Sequence, residues 1–113
     1  MLDARQVAID ALAAAGIRAY AHVPVKRPDE FCTVEATGNE SLHGGFVAVR
    51  TVGIDSWAGS ALKAQRLAQR VDEAMRSIDH PDVTHVERET DYDFPDSDGS
   101  PRYYATYRMT VND

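Results

Sequence analysis

With 113 residues, 43% of them hydrophobic and 27% charged, the chain suits one compact domain spanning residues 1–113 and is too apolar to stay disordered throughout. A formal net charge of -6 and a pI near 5.1 exclude a nucleic-acid-wrapping surface, because phosphate binding draws its affinity from clustered Lys and Arg; an acidic surface instead repels a polyanion passing near it. The lone Cys32 allows no internal disulfide and is expected buried, and with neither a basic leader nor the roughly 18 apolar residues of a membrane span, a soluble protein made in the cytoplasm is expected.

Asp3 and Gln6 have the spacing of a capping box, Val7, Ile9, Leu12 and Ala13 supply an apolar stripe, and Gly16 suits a left-handed cap, which predicts a first helix over residues 4–15. Alternation of Ile17, Ala19, Ala21 and Val23 with Arg18, Tyr20 and His22 predicts a first strand. Pro24 and Pro28 then bracket Val25-Lys26-Arg27 as an extended turn-around segment. Residues 31–37 alternate again as a second strand, and the polar, glycine-rich residues 38–45 predict a mobile loop.

Residues 46–57 are rich in β-branched and aromatic side chains and predict a third strand, in which Gly53 marks a bulge or a close backbone approach. Leu62, Leu67, Val71, Met75 and Ile78 recur at helical spacing, with Ser60 as cap and Pro81 as stop, predicting a second helix over residues 61–78. Strands over residues 83–92 and 103–111, separated by an acidic loop over residues 93–101, complete the chain. The order α-β-β-β-α-β-β predicts an α+β fold, a mainly antiparallel mixed sheet of about five strands with two helices packed on one face.

Sites for chemistry are sparse. His22, His43, His80 and His85 lack metal-ligand spacing, no catalytic or phosphate-binding glycine motif occurs, and the Asp93-to-Gly99 run carries a proline and lacks the closing Glu of a calcium loop. Neither a cofactor nor a metal is expected. Lys63, Arg66, Arg70 and Arg76 interleave with Asp72 and Glu73, the pattern of a solvated helix face, with a partner-facing role as the alternative.

Four segments stand in a recognisable order: Arg27-Pro28-Asp29-Glu30-Phe31-Cys32-Thr33-Val34 with Gly38, then Ile54-Asp55-Ser56-Trp57-Ala58, then the repeated Ala, Leu and Val of residues 61–75, then Phe94-Pro95-Asp96-Ser97-Asp98-Gly99-Ser100-Pro101-Arg102-Tyr103-Tyr104. Over residues 25–111 they resemble the tail terminator, or tail completion, proteins of long-tailed, siphovirus-type bacteriophages and prophages of actinobacterial type. Residues 39–49 and Gly53 depart from that pattern. The resemblance implies a structural virion protein, not an enzyme, that caps the tail tube as a homohexameric ring, stops tube polymerisation and docks the neck connector. It places the protein at the head–tail junction of the virion, with DNA passing through the ring but not bound by sequence, and no membrane involved.

Implied partners are further copies of the chain, with a monomeric free subunit as the alternative state, the major tail tube protein and the neck protein. Asp96, Asp98, Arg102 and Tyr103, together with Arg66 and Arg70, are the candidate contact residues. One rival reading is another head–tail connector or head-closure protein. A second is a small enzyme or ligand-binding domain whose site gathers His22, His85, Arg102 and Tyr103 from distant positions, which requires a convergent polar pocket.

Overall fold

A computed structural model of the chain describes residues 2–42 and 46–112. Its elements are α1 (Ala4–Ala14), β1 (Ala19–Tyr20), β2 (Phe31–Leu42), β3 (Val47–Trp57), α2 (Ala61–Arg76), β4 (Val83–Asp93) and β5 (Arg102–Asn112). The strands form one sheet in the order β1-β2-β3-β5-β4. β1 runs parallel to β2 and every other pair is antiparallel. The predicted α+β architecture is therefore the observed one.

Both helices begin where a side chain accepts one of their free backbone amides. Asp3 accepts the Gln6 amide at 3.1 Å and Ser60 accepts the Lys63 amide at 3.2 Å. At the end of α1, Gly16 adopts φ +80°. The Ile17 amide reaches the Leu12 carbonyl at 2.9 Å and the Gly16 amide reaches Ala13 at 3.0 Å. These paired bonds require a left-handed residue that only glycine adopts cheaply.

Strand alternation sends one set of side chains under the helices. Cys32 and Val34 of β2, Ala48, Val52 and Ile54 of β3, and Ala105, Tyr107, Met109 and Val111 of β5 meet Ala8 and Leu12 of α1 and Leu67, Val71 and Met75 of α2. All are buried. Each large one contributes about 1.5–3 kcal/mol through removal of apolar surface from water. Burial pushes the Cys32 thiol up to about 12, so it stays protonated and behaves as a small apolar group.

Tyr107 carries the one phenol of this layer that is fully covered, and its hydroxyl donates to Asp72 Oδ1 of α2 at 3.0 Å. Burial pulls the Asp72 carboxyl upward, but hydrogen bonds from Arg76 and Tyr107 together outweigh it and hold the group below its usual value. Tyr107→Phe is expected to cost about 1 kcal/mol in urea unfolding, the net worth of one such bond. A neutral result would mean that Arg76, at 2.8 Å from Asp72, satisfies the carboxylate by itself.

Several boundaries differ from the sequence reading. The first strand shrinks from residues 17–23 to Ala19–Tyr20, because the chain leaves the sheet ahead of Pro24, which has no amide for a ladder. The predicted loop at residues 38–45 is instead strand as far as Leu42, since Gly38 to Leu42 pair with Thr51 to Val47. Residues 43–45 of that loop lie outside the described residues. α2 ends at Arg76 and not Ile78, with the Ser77 hydroxyl bonded back to the Glu73 carbonyl at 2.8 Å. The register irregularities fall at Ala36/Gly38, Val83/His85 and Arg88/Thr90 and not at Gly53, which pairs regularly with Glu35 and Thr106.

β4 closes one edge of the sheet, and apart from half-buried Val83 and Val86 its side chains are exposed. Among the described residues, no helix covers the face of the sheet opposite α1 and α2.

Candidate functional site

The uncovered face is polar along most of its length but ends in an ordered aromatic and charged cluster. The register puts Phe31, Trp57 and Arg102 in one row across β2, β3 and β5. Tyr20 meets Phe31 edge-on at 6.2 Å, and Phe31 stacks on Trp57 at 5.8 Å. The Arg102 guanidinium lies 4.9 Å from the Trp57 ring centre and 4.5 Å from that of Phe94. Such contacts combine apolar burial with attraction between a cation and the electron-rich ring face.

Two loops shield this row. The segment between β1 and β2, here called the strap (residues 21–30), brings Arg27 to 5.2 Å from the Trp57 ring. The same side chain donates to Ser100 Oγ at 3.4 Å, joining the strap to the loop between β4 and β5. Trp57 is 5% exposed as a result. The far end of the strap is tied to α2 by the Arg70–Glu30 ion pair at 2.7 Å.

The β4–β5 loop is a built turn. Asp96 accepts the Gly99 amide at 2.8 Å through its carbonyl, its amide donates to the Ser100 carbonyl at 3.0 Å, and Gly99 has φ +85°. Asp98 accepts the Ser100 amide at 2.8 Å. Hydrogen bonds from the Ser100 amide and hydroxyl hold its carboxyl below the usual value. Arg102 Nε donates to the Phe94 carbonyl at 2.8 Å, and its Nη2 stands 3.9 Å from Asp96 Oδ1.

Beneath the loop lies Asp55, one row further along the sheet. Trp57 Nε1 donates to Thr33 Oγ1 at 3.1 Å, and Thr33 Oγ1 donates to Asp55 Oδ2 at 3.4 Å. Asp55 Oδ1 is buried and has no hydrogen-bond donor among the described residues, with Arg102 Nε at 3.7 Å. Burial pushes the Asp55 carboxyl up to about 6, against the pull of Arg102 and with the help of Glu35. The Tyr104 hydroxyl crosses β3 directly over Gly53, where a β-carbon would collide with it. Gly53 thus marks the close approach that was one of its two expected meanings.

The candidate contact residues separate into three places. Asp96, Asp98 and Arg102 come together as expected, but Arg102 is held in the cluster and serves as its centre. Tyr103 points to the opposite face, where its hydroxyl donates to Asp91 at 2.7 Å. Arg66 and Arg70 lie on α2 beside Asp29 and Glu30 of the strap, so Arg70 already has an intramolecular partner. His22 in the strap, His85 beside Glu87 at 3.6 Å on β4, Arg102 and Tyr103 do not converge on a common pocket. Among the described residues, no three His, Cys, Asp or Glu side chains are placed to hold one metal ion.

No protein-family model matches the chain, and no curated protein matches its sequence.

Proposed function

We propose that the chain is the ring-forming tail terminator of a long-tailed phage or prophage, a structural subunit that caps the tail tube, stops its growth and presents a docking surface to the neck connector. The observation that carries this reading is the character of the Phe94–Tyr104 segment, the most specific part of the resemblance. It forms an internally bonded turn, clamped by Arg102 and strapped through Arg27, whose acids stand at the surface. A rigid, exposed turn suits recognition of a fixed neighbour, because little conformational freedom remains to be lost on docking.

The net charge of -6 suits a ring through which DNA passes, since like charge keeps the polymer from adhering to the wall. Deleting the gene from the phage is expected to give tails of uncontrolled length in negative-stain micrographs of the lysate. Tails of normal length would remove the terminator role. The purified protein, alone or on tail tubes, is expected to show sixfold rings.

A further inference from the structure

The helix layer contains a groove of about 460 Å³ between the C-terminal halves of α1 and α2. Half-buried Val7, Ala11, Ala74 and Ile78 form its apolar lining, and exposed Asp10 and Asp79 stand at its rim. Elsewhere on the surface, the strap lifts its apex into solvent. Val25 there is 105% exposed, ahead of Phe46 at 77%, which makes it the most exposed large apolar side chain among the described residues. Val23 is exposed as well, and Lys26 beside it makes no ion pair among the described residues.

We propose that the strap apex of one copy, Val23 to Lys26, seats in the α1–α2 groove of a second copy, with Val25 against the apolar lining and the Lys26 ammonium between the Asp10 and Asp79 carboxylates. The inference names the partner surface of the ring subunit and rests on that reading for the identity of the partner as another copy.

Three physical arguments favour this occupant. The groove has an apolar lining and a negative rim, and the strap apex is apolar with a positive residue beside it, so polarity and charge match in one step. The apex is preorganised. Pro24 and Pro28 fix two backbone angles, and Arg27 and Glu30 anchor its C-terminal side to Ser100 and Arg70. Finally, groove and apex share no residue, so the contact joins unlike surfaces head to tail, the geometry that yields a closed ring when the rotation between neighbours closes.

The test uses the full chain in analytical ultracentrifugation over a range of concentrations, with far-UV circular dichroism to establish that each variant is folded. Both sets of changes fall on exposed side chains. Lys26→Glu in the apex, or Asp10→Lys with Asp79→Lys at the rim, is expected to weaken self-association about tenfold or more. A chain carrying all three changes is expected to recover it, since the charges are then exchanged and again opposite. Wild-type protein that remains monomeric at every concentration, variants that associate like wild type, or a triple variant that fails to recover would each overturn the contact. Rings that persist in Lys26→Glu sink this contact and leave the ring reading intact, whereas wild-type protein forming no rings even on tail tubes sinks the ring reading itself. If the rim variant loses tail-tube binding and keeps self-association, the groove belongs to the tube protein and the self-contact is wrong.

Discussion

Replacing Trp57 with alanine is expected to cost about 3–5 kcal/mol of folding stability, the range for deleting a buried aromatic side chain. The ring is the centre of the row on the uncovered face. Phe31 stacks on one edge of it, and both Arg27 and Arg102 lie over it. Its removal also takes the indole donor from Thr33, which is itself bonded to Asp55. The β4–β5 loop and the strap share this one support, so their positions should loosen together. Urea unfolding followed by far-UV circular dichroism measures the cost. Trp57→Phe isolates the indole hydrogen bond from the ring, and a loss below about 1 kcal/mol in Trp57→Ala would show that the loops hold each other without it.

Asp55 governs the second large effect, and its sign is opposite to that of most acids in folded proteins. Its carboxyl is 13% exposed and raised from 3.8 to about 6, chiefly by burial. Between pH 4 and 6 the folded state therefore holds a proton that the unfolded chain has released. The contribution of this group to stability is most favourable below pH 4 and is lost as pH rises through about 6. The difference amounts to about 3 kcal/mol at most. Asp55→Asn removes the ionisation and should stabilise the protein at pH 8 by up to that amount, with the gain vanishing near pH 4. Paired urea titrations at the two pH values measure it. A variant less stable than wild type at pH 8 would show that the attraction of Arg102 for the ionised carboxylate outweighs the cost of burying it.

The helices were legible because their signals are local. Asp3, Gly16 and Ser60 sit where the caps form, and Leu67, Val71 and Met75 repeat at helical spacing on the buried face. The end of β2 was not legible, since Gly38, Asn39 and Ser41 have poor strand propensity and are held in the ladder by their partners on β3. Strand propensity reflects context more than backbone preference, and here the context lies a hairpin away.

The candidate site shows the same division. Asp96, Asp98 and Arg102 are near one another in the chain and could be read as one loop. Thr33, Asp55 and Trp57 join them only through cross-strand register, and Arg27 only through the course of the strap, so no spacing along the chain points to the cluster. Tyr103 was grouped with Arg102 although they are neighbours in a strand, where the two-residue period sends them to opposite faces.

The position of β5 within the sheet sets the order in which the fold can be completed. It lies between β3 and β4, although α2 and β4 intervene in the chain between β3 and β5. β3 pairs with β2 through a local hairpin, but its other edge stays open until residues 102–112 arrive. Pairing of Val52 with Tyr107 and of Ile54 with Ala105 closes loops of about 50 residues, a step that loop-closure entropy makes slow relative to helix or hairpin formation. Folding is therefore expected to be limited by the insertion of this strand, and in the interval before it the apolar face and free edge of β3 are the surfaces most open to wrong pairing.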